Sequence, residues 1–133
     1  MTNGSPLDSF TILITDDDYI NIIILQEALK DLNLPIEVAV NGKEALDILF
    51  KLKFKDVMLL LDLNMPVIDG YEVIKIMHDD PESYLNVKTI VISGSMRSDF
   101  DKSGLSPYIK FYIEKPFSID DLVMKIKNAA TDG

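Results

Sequence analysis

Residues 57–70 read VMLLLDLNMPVIDG, and this stretch decides the fold. Val57 to Leu61 is apolar without polar alternation, as a strand covered on both faces of a parallel sheet requires. Asp62 ends that run. The pairs Met65-Pro66 and Asp69-Gly70 are turn formers, so the chain bends sharply just after a carboxylate at the tip of a central strand. From Gly70 to His78, Val73, Ile74 and Met77 then recur at helical spacing.

Working outward, four more short runs rich in Ile, Val and Leu read as strands: Thr11 to Thr15, Ile36 to Val40, Thr89 to Ile92 and Ile109 to Ile113. Helical periods separate them. Tyr19 to Leu32 carries Ile20, Ile23, Ile24, Ala28 and Leu29 as an expected buried stripe, and Lys43 to Leu52 carries Ala45, Leu46, Leu49 and Leu52. Met96 to Ser103 has mainly Phe100 as an anchor and predicts a short helix. Ser118 with Asp121 opens a last helix through Leu122, Val123 and Ile126. Strands alternating with helices predict an α/β fold with a single five-stranded parallel sheet. Residues 1–10 read as a flexible N-terminal tail, 11–130 as one domain and 131–133 as a C-terminal stub.

The 133 residues suffice for one core, and the absence of cysteine removes disulfides, thiolate metal sites and thiol nucleophiles. Thirteen basic against 22 acidic residues give a net charge of −9. That balance argues against direct nucleic-acid binding, which rests on Lys and Arg neutralising phosphates. No secretory signal and no run of about 18 apolar residues is present, so a cytoplasmic protein without a membrane span is expected.

In an open parallel sheet, ligands bind beyond the carboxyl ends of the strands. The residues there are Asp16, Asp17 and Asp18 after the first strand, Asp62 after the third, Ser93 after the fourth and Lys115 after the fifth. Asn41 and Gly42, after the second strand, read as a turn and helix start, and Asp18 as a helix cap. Converging carboxylates repel one another, and a hard divalent cation or an ammonium group relieves them. Asp17 and Asp62 suit Mg²⁺, which keeps several waters that a phosphoryl oxygen can replace. Phosphoryl transfer needs an in-line nucleophile and positive charge around the equatorial oxygens, and Asp62, a metal and Lys115 supply both.

Four segments carry a resemblance: ILITDDDYIN (12–21), LLLDLNMPVIDG (59–70), TIVISGS (89–95) and YIEKPF (112–117). In their order and spacing they resemble the response-regulator receiver domain of two-component signalling, the chemotaxis-regulator-like superfamily. The resemblance implies a flavodoxin-like sheet of order 2-1-3-4-5 with five helices on both faces. It also implies a signalling phosphoacceptor rather than an enzyme, with self-catalysed phosphotransfer and slow autodephosphorylation. Asp62 would be the phosphoacceptor and Asp16 and Asp17 the acidic pair, with the backbone carbonyl of Asn64 completing a site for Mg²⁺ or Mn²⁺. Ser93 would be the hydroxyl switch, Lys115 the phosphate-pairing lysine, and Tyr112 the aromatic ring that turns inward once Ser93 moves. A histidine kinase or histidine phosphotransfer protein is the implied donor, with a downstream protein target and a monomer or phosphorylation-dependent dimer. Thr15, Tyr19 and Gly94 depart from the family, which favours an apolar residue, proline and alanine or another small residue there.

A haloacid-dehalogenase-like phosphatase, with Asp16-x-Asp18 as its nucleophile motif, is the rival reading. It leaves Asp62 idle and provides no late acidic motif.

Overall fold

The structure, a computed structural model, describes residues 5–132. Strands and helices alternate as β1 (Phe10–Thr15), α1 (Tyr19–Leu29), β2 (Ile36–Ala39), α2 (Gly42–Lys51), β3 (Asp56–Leu61), α3 (Gly70–Asp79), β4 (Val87–Ser93), α4 (Arg97–Asp101), β5 (Phe111–Glu114) and α5 (Ile119–Thr131). The five strands are parallel in the order 2-1-3-4-5, with β3 central as its apolar run requires.

Because side chains alternate across a strand, β3 divides its apolar residues between two layers. Met58 and Leu60 face α1 and α5, against Ile22, Leu25, Leu29, Leu122 and Ile126. Val57, Leu59 and Leu61 face α2, α3 and α4, against Ala45, Leu49, Val73, Ile74 and Phe100. Side-chain caps start the longer helices: Asp18 accepts from the Ile20 amide, Asn41 from Glu44, Asp69 from Glu72 and Ser118 from Asp121. Each satisfies an amide that the first helical turn cannot pair.

Three expectations need correction. The flexible tail through residue 10 is overturned from Ser5 onward: Pro6–Ser9 forms a 3₁₀ turn, Leu7 is buried against the α1 and α5 layer, and Phe10 starts β1. Residues 1–4 lie outside the described residues. At the other end Thr131 closes α5 and Asp132 caps it, so two residues of the expected stub belong to the helix end, and residue 133 lies outside the described residues. In α1 the expected buried stripe is also displaced. Ile22, Leu25 and Leu29 are buried, whereas Ile20, Ile23 and Ile24 are exposed. YINIIILQEAL is apolar nearly all round, so its pattern does not select a face, and the sheet chooses the one it covers.

Thr15 closes β1 on the same face as Leu13, is 1% exposed, and its Oγ1 has no hydrogen-bond partner among the described residues. Thr15→Val keeps the shape and removes a buried unpaired hydroxyl, so it is expected to raise stability by about 1 kcal/mol. Urea unfolding checks this. A destabilised variant would mean that the hydroxyl is paired in solution.

Candidate functional site

At the carboxyl edge of the sheet, the strand ladder continues one residue past three strands. The amide of Asp16 donates to the carbonyl of Ala39 in β2 at 3.1 Å, that of Asp62 to Thr15 in β1 at 2.9 Å, and that of Lys115 to Ser93 in β4 at 2.8 Å. These residues therefore inherit the position of the sheet instead of the freedom of a loop. The segment 63–69 is held just as closely, because the amide of Gly42 donates to Ile68 and that of Gly70 to Leu63, both at 3.0 Å.

Gly70 shows why glycine is needed there. A Cβ at this position would strike the carbonyl oxygen of Asp62 and approach the Cα of Leu63 to 2.7 Å. The N-terminus of α3 thus rests directly on the backbone of Asp62. Val67, on the same loop, has a left-handed φ of 69° and is exposed, and the Lys115–Pro116 peptide is cis.

Asp16, Asp17 and Asp62 each offer a carboxylate oxygen, and these oxygens lie within 4.8 Å of one another. Asp16 and Asp62 are buried and Asp17 is exposed. Lys115 Nζ lies 3.1 Å from Asp16 Oδ2 and 4.0 Å from Asp62 Oδ1. Burial pushes the Asp62 carboxyl above its ordinary range; Lys115 pulls it down, Asp16 pushes it up, the Asn64 amide pulls it down and Asp17 pushes it up. The Asn64 amide faces Asp62 Oδ1 at 3.5 Å, a long contact. One ammonium group among three carboxylates leaves the cluster short of positive charge, and the donors are all hard oxygens. A divalent cation such as Mg²⁺ fits this set.

Ser93 is fully buried, and its Oγ accepts the amide of Ser95 at 3.1 Å. The Tyr112 hydroxyl donates to the carbonyl of Ser95 at 2.7 Å. Burial pushes that hydroxyl above its ordinary range, opposed by a hydrogen bond with Ser93, so it stays protonated as a donor at neutral pH. The ring lies 5.2 Å from that of Phe100, which lies 5.9 Å from that of Tyr71. Tyr112 is therefore already inward in this structure, packed against the one buried residue of α4. Gly94 leaves open space beside the site.

The structure brings Asp16, Asp17, Asp62, Lys115 and the Asn64 amide to one point, with Ser93 at the neighbouring strand end and Tyr112 behind it. Asp18 is turned away as the α1 cap. Sequence reasoning missed Gly70 and Gly42, whose Cβ positions collide with backbone brought close only by folding. It also missed the apolar rim. Tyr19 and Ile20 of α1 are 73% and 67% exposed, and Val67, Met96 and Ile119 stand exposed on the loops after β3 and β4 and at the start of α5.

Comparisons with known proteins agree with this architecture. The family model of the response regulator receiver domain matches residues 12–127. Sporulation initiation phosphotransferase F of Bacillus subtilis is 31% identical over 116 residues, covering 87% of this chain and 90% of that protein. A probable transcriptional regulator of Porphyra purpurea is 30% identical over 121 residues, covering 90% of this chain and 56% of that protein. The chain thus spans little more than half of that regulator. A crystal structure of a receiver domain protein from Methanospirillum hungatei superposes with a TM-score of 0.76 at 28% identity, covering 90% of this chain and 93% of that one. The matched stretch runs from β1 into α5 and takes in every residue that converges at the sheet edge: the chain belongs to the response regulator receiver domain family of two-component signalling.

Proposed function

We propose that Asp62 of this receiver accepts a phosphoryl group from a phosphohistidine of a histidine kinase or histidine phosphotransfer protein. The observation that carries the proposal is the position of Asp62: a buried carboxylate at the end of β3, with Lys115 at 4.0 Å and two further carboxylates beside it. An Asp62 oxygen attacks phosphorus in line, the phosphorus–nitrogen bond to the donor imidazole breaks, and the imidazole leaves with its electron pair. Asp16, Asp17, Asp62 and the Asn64 carbonyl would hold Mg²⁺ or Mn²⁺, which when bound neutralises charge on the carboxylates and the phosphoryl oxygens. Lys115 needs only to swing from Asp16 to pair with an equatorial oxygen.

The arriving phosphoryl group accepts from the Ser93 hydroxyl, which at present accepts from the Ser95 amide. As Ser93 donates to it, the Ser93–Ser95 loop shifts, and Tyr112 moves with the Ser95 carbonyl it holds. On this reading the inward ring, held by that bond, is the state that the phosphoryl group favours, and its arrival shifts the population toward it.

The test is intact mass after incubation with acetyl phosphate and Mg²⁺. One phosphoryl adduct is expected on the wild type, and none on Asp62→Asn or after chelation of the metal. Failure of the wild type to label, with a donor-competent control, would overturn the reading.

The outward face of α1 supports a protein donor, since Tyr19, Ile20 and Ile23 present an apolar strip beside the site. Ile20→Glu with Ile23→Glu is expected to slow transfer from a phosphorylated histidine phosphotransfer protein at least tenfold, about 1.4 kcal/mol. Acetyl phosphate labelling checks that the site itself is intact.

A further inference from the structure

Two phenylalanines stand in water at the amino edge of the sheet, opposite the carboxylate cluster. Phe50, in the last turn of α2, is 69% exposed, and Phe54, in the turn leading to β3, is 90% exposed. Lys53 Nζ lies 4.6 Å from the centre of the Phe50 ring and 5.3 Å from that of Phe54, so one ammonium group joins both rings into a single patch. At roughly 200 Å² for each aromatic side chain, the pair leaves about 300 Å² of apolar surface in water, the size at which a patch marks an interaction site. The rings line a groove of about 360 Å³ whose two walls are unlike. Phe50, Lys53 and Phe54 come from the end of α2 and the turn after it; Asp80, Glu82 and Tyr84 come from the segment between α3 and β4, where Pro81–Tyr84 forms a 3₁₀ turn. Among the described residues, Lys53, Asp80 and Glu82 enter no ion pair.

We propose that this face binds a second copy of the chain across a two-fold axis, without need of a phosphoryl group. A two-fold interface uses the same surface on both copies, so it closes only where that surface complements its own rotated image. A groove with a basic wall on one side and an acidic wall on the other meets that condition. Rotation sets Lys53 of one copy against Asp80 and Glu82 of the other, and does so twice. Phe54, the more exposed ring, then enters the groove of the opposite copy, and water is excluded from both pairs of rings.

Charge selects this occupant. A basic segment answers Asp80 and Glu82 but sets its own charge against Lys53, and an acidic segment does the reverse. The face itself carries both signs in the arrangement that satisfies both. Its area sets the strength: the rings fall well short of the roughly 800 Å² per partner of a standard interface, so the dimer is a weak one, populated at high protein concentration. Asp62 lies at the other edge of the sheet, and both phosphoryl sites stay open in the dimer.

The test is sedimentation equilibrium of the unphosphorylated chain in chelator over a range of concentrations. The wild-type mass is expected to climb from that of one chain toward that of two. Phe54→Ser is expected to weaken association at least tenfold, and a side chain so exposed can be replaced without opening the core. Lys53→Glu and Glu82→Lys are each expected to weaken it as well, since each sets like charges against each other twice. Mixed in equal amounts, these two variants are expected to associate at least tenfold more tightly than either alone, because every facing pair is then of opposite sign. A merely structural role for either residue gives no such rescue between chains. A wild type still monomeric at about 1 mM, the limit of measurable weak pairing, overturns the proposal and leaves the face to a different protein. Association unchanged by Phe54→Ser overturns it in favour of another face, and a mixture no tighter than its components overturns the two-fold arrangement.

Discussion

Gly70→Ala is expected to slow Mg²⁺-dependent labelling of the protein by about a hundredfold, the scale of loss for an ångström-sized displacement of a reacting group. The added Cβ meets the Asp62 carbonyl and the Leu63 Cα, both backbone atoms that cannot rotate away. Either α3 moves off the sheet or the chain at Asp62 moves. The first separates Val73 and Ile74 from the core, and the second displaces the carboxylate from Lys115, Asp16 and Asp17. Overpacking of this kind also lowers stability by about 2 kcal/mol. Urea unfolding and the labelling rate separate the two routes, because a variant that keeps its stability and loses only its rate has moved Asp62. Wild-type labelling by Gly70→Ala would show that the loop after β3 does not set the geometry.

Asp62→Asn is expected to abolish labelling and yet to stabilise the metal-free protein by about 1 kcal/mol, at the low end for relieving a buried charge because Lys115 already compensates part of it. Burial holds the folded carboxyl above its ordinary value near 3.8, with Asp16 and Asp17 adding to the upward push against Lys115 and the Asn64 amide. A carboxyl that binds its proton more tightly folded than unfolded makes stability fall as pH rises between those two values, and above the higher one the full penalty is present. In chelator, the advantage of Asp62→Asn is therefore largest above the folded value and fades in acid. Mg²⁺ binding to the folded wild type is expected to close and then reverse that gap, since at a hundredfold excess over the dissociation constant it is worth about 2.7 kcal/mol. Unfolding curves in chelator and in Mg²⁺ measure both. Lower stability for the variant at pH 7 without metal would contradict a strained acidic cluster.

The sheet was legible because β3 has only one environment available to it: VMLLL cannot face water on either side, and that places Asp62 at a strand tip. The positions that converge at the sheet edge were legible for the same reason, each following an apolar run. Element ends were less so. Val87 extends β4 by pairing with Val57, and β5 begins at Phe111 instead of Ile109 because Ser106–Tyr108 forms a 3₁₀ turn. Leu7 carries no periodicity, being one apolar residue in a polar stretch, so its burial under α5 was invisible. Helix α1 hid its orientation because an all-apolar helix gives the pattern nothing to point with. Its exposed isoleucines are the more informative for that, since they lie beside the carboxylate cluster where the proposed protein donor would cover them.

If Asp62 is the acceptor, the phosphoryl group sits there and not on Asp16 or Asp17. Borohydride reduction converts an aspartyl phosphate to homoserine, and tandem mass spectrometry of peptides then reads which position has changed. After labelling with acetyl phosphate and Mg²⁺, homoserine is expected at position 62 alone. Homoserine at 16 or 17 with Asp62 intact would contradict the account.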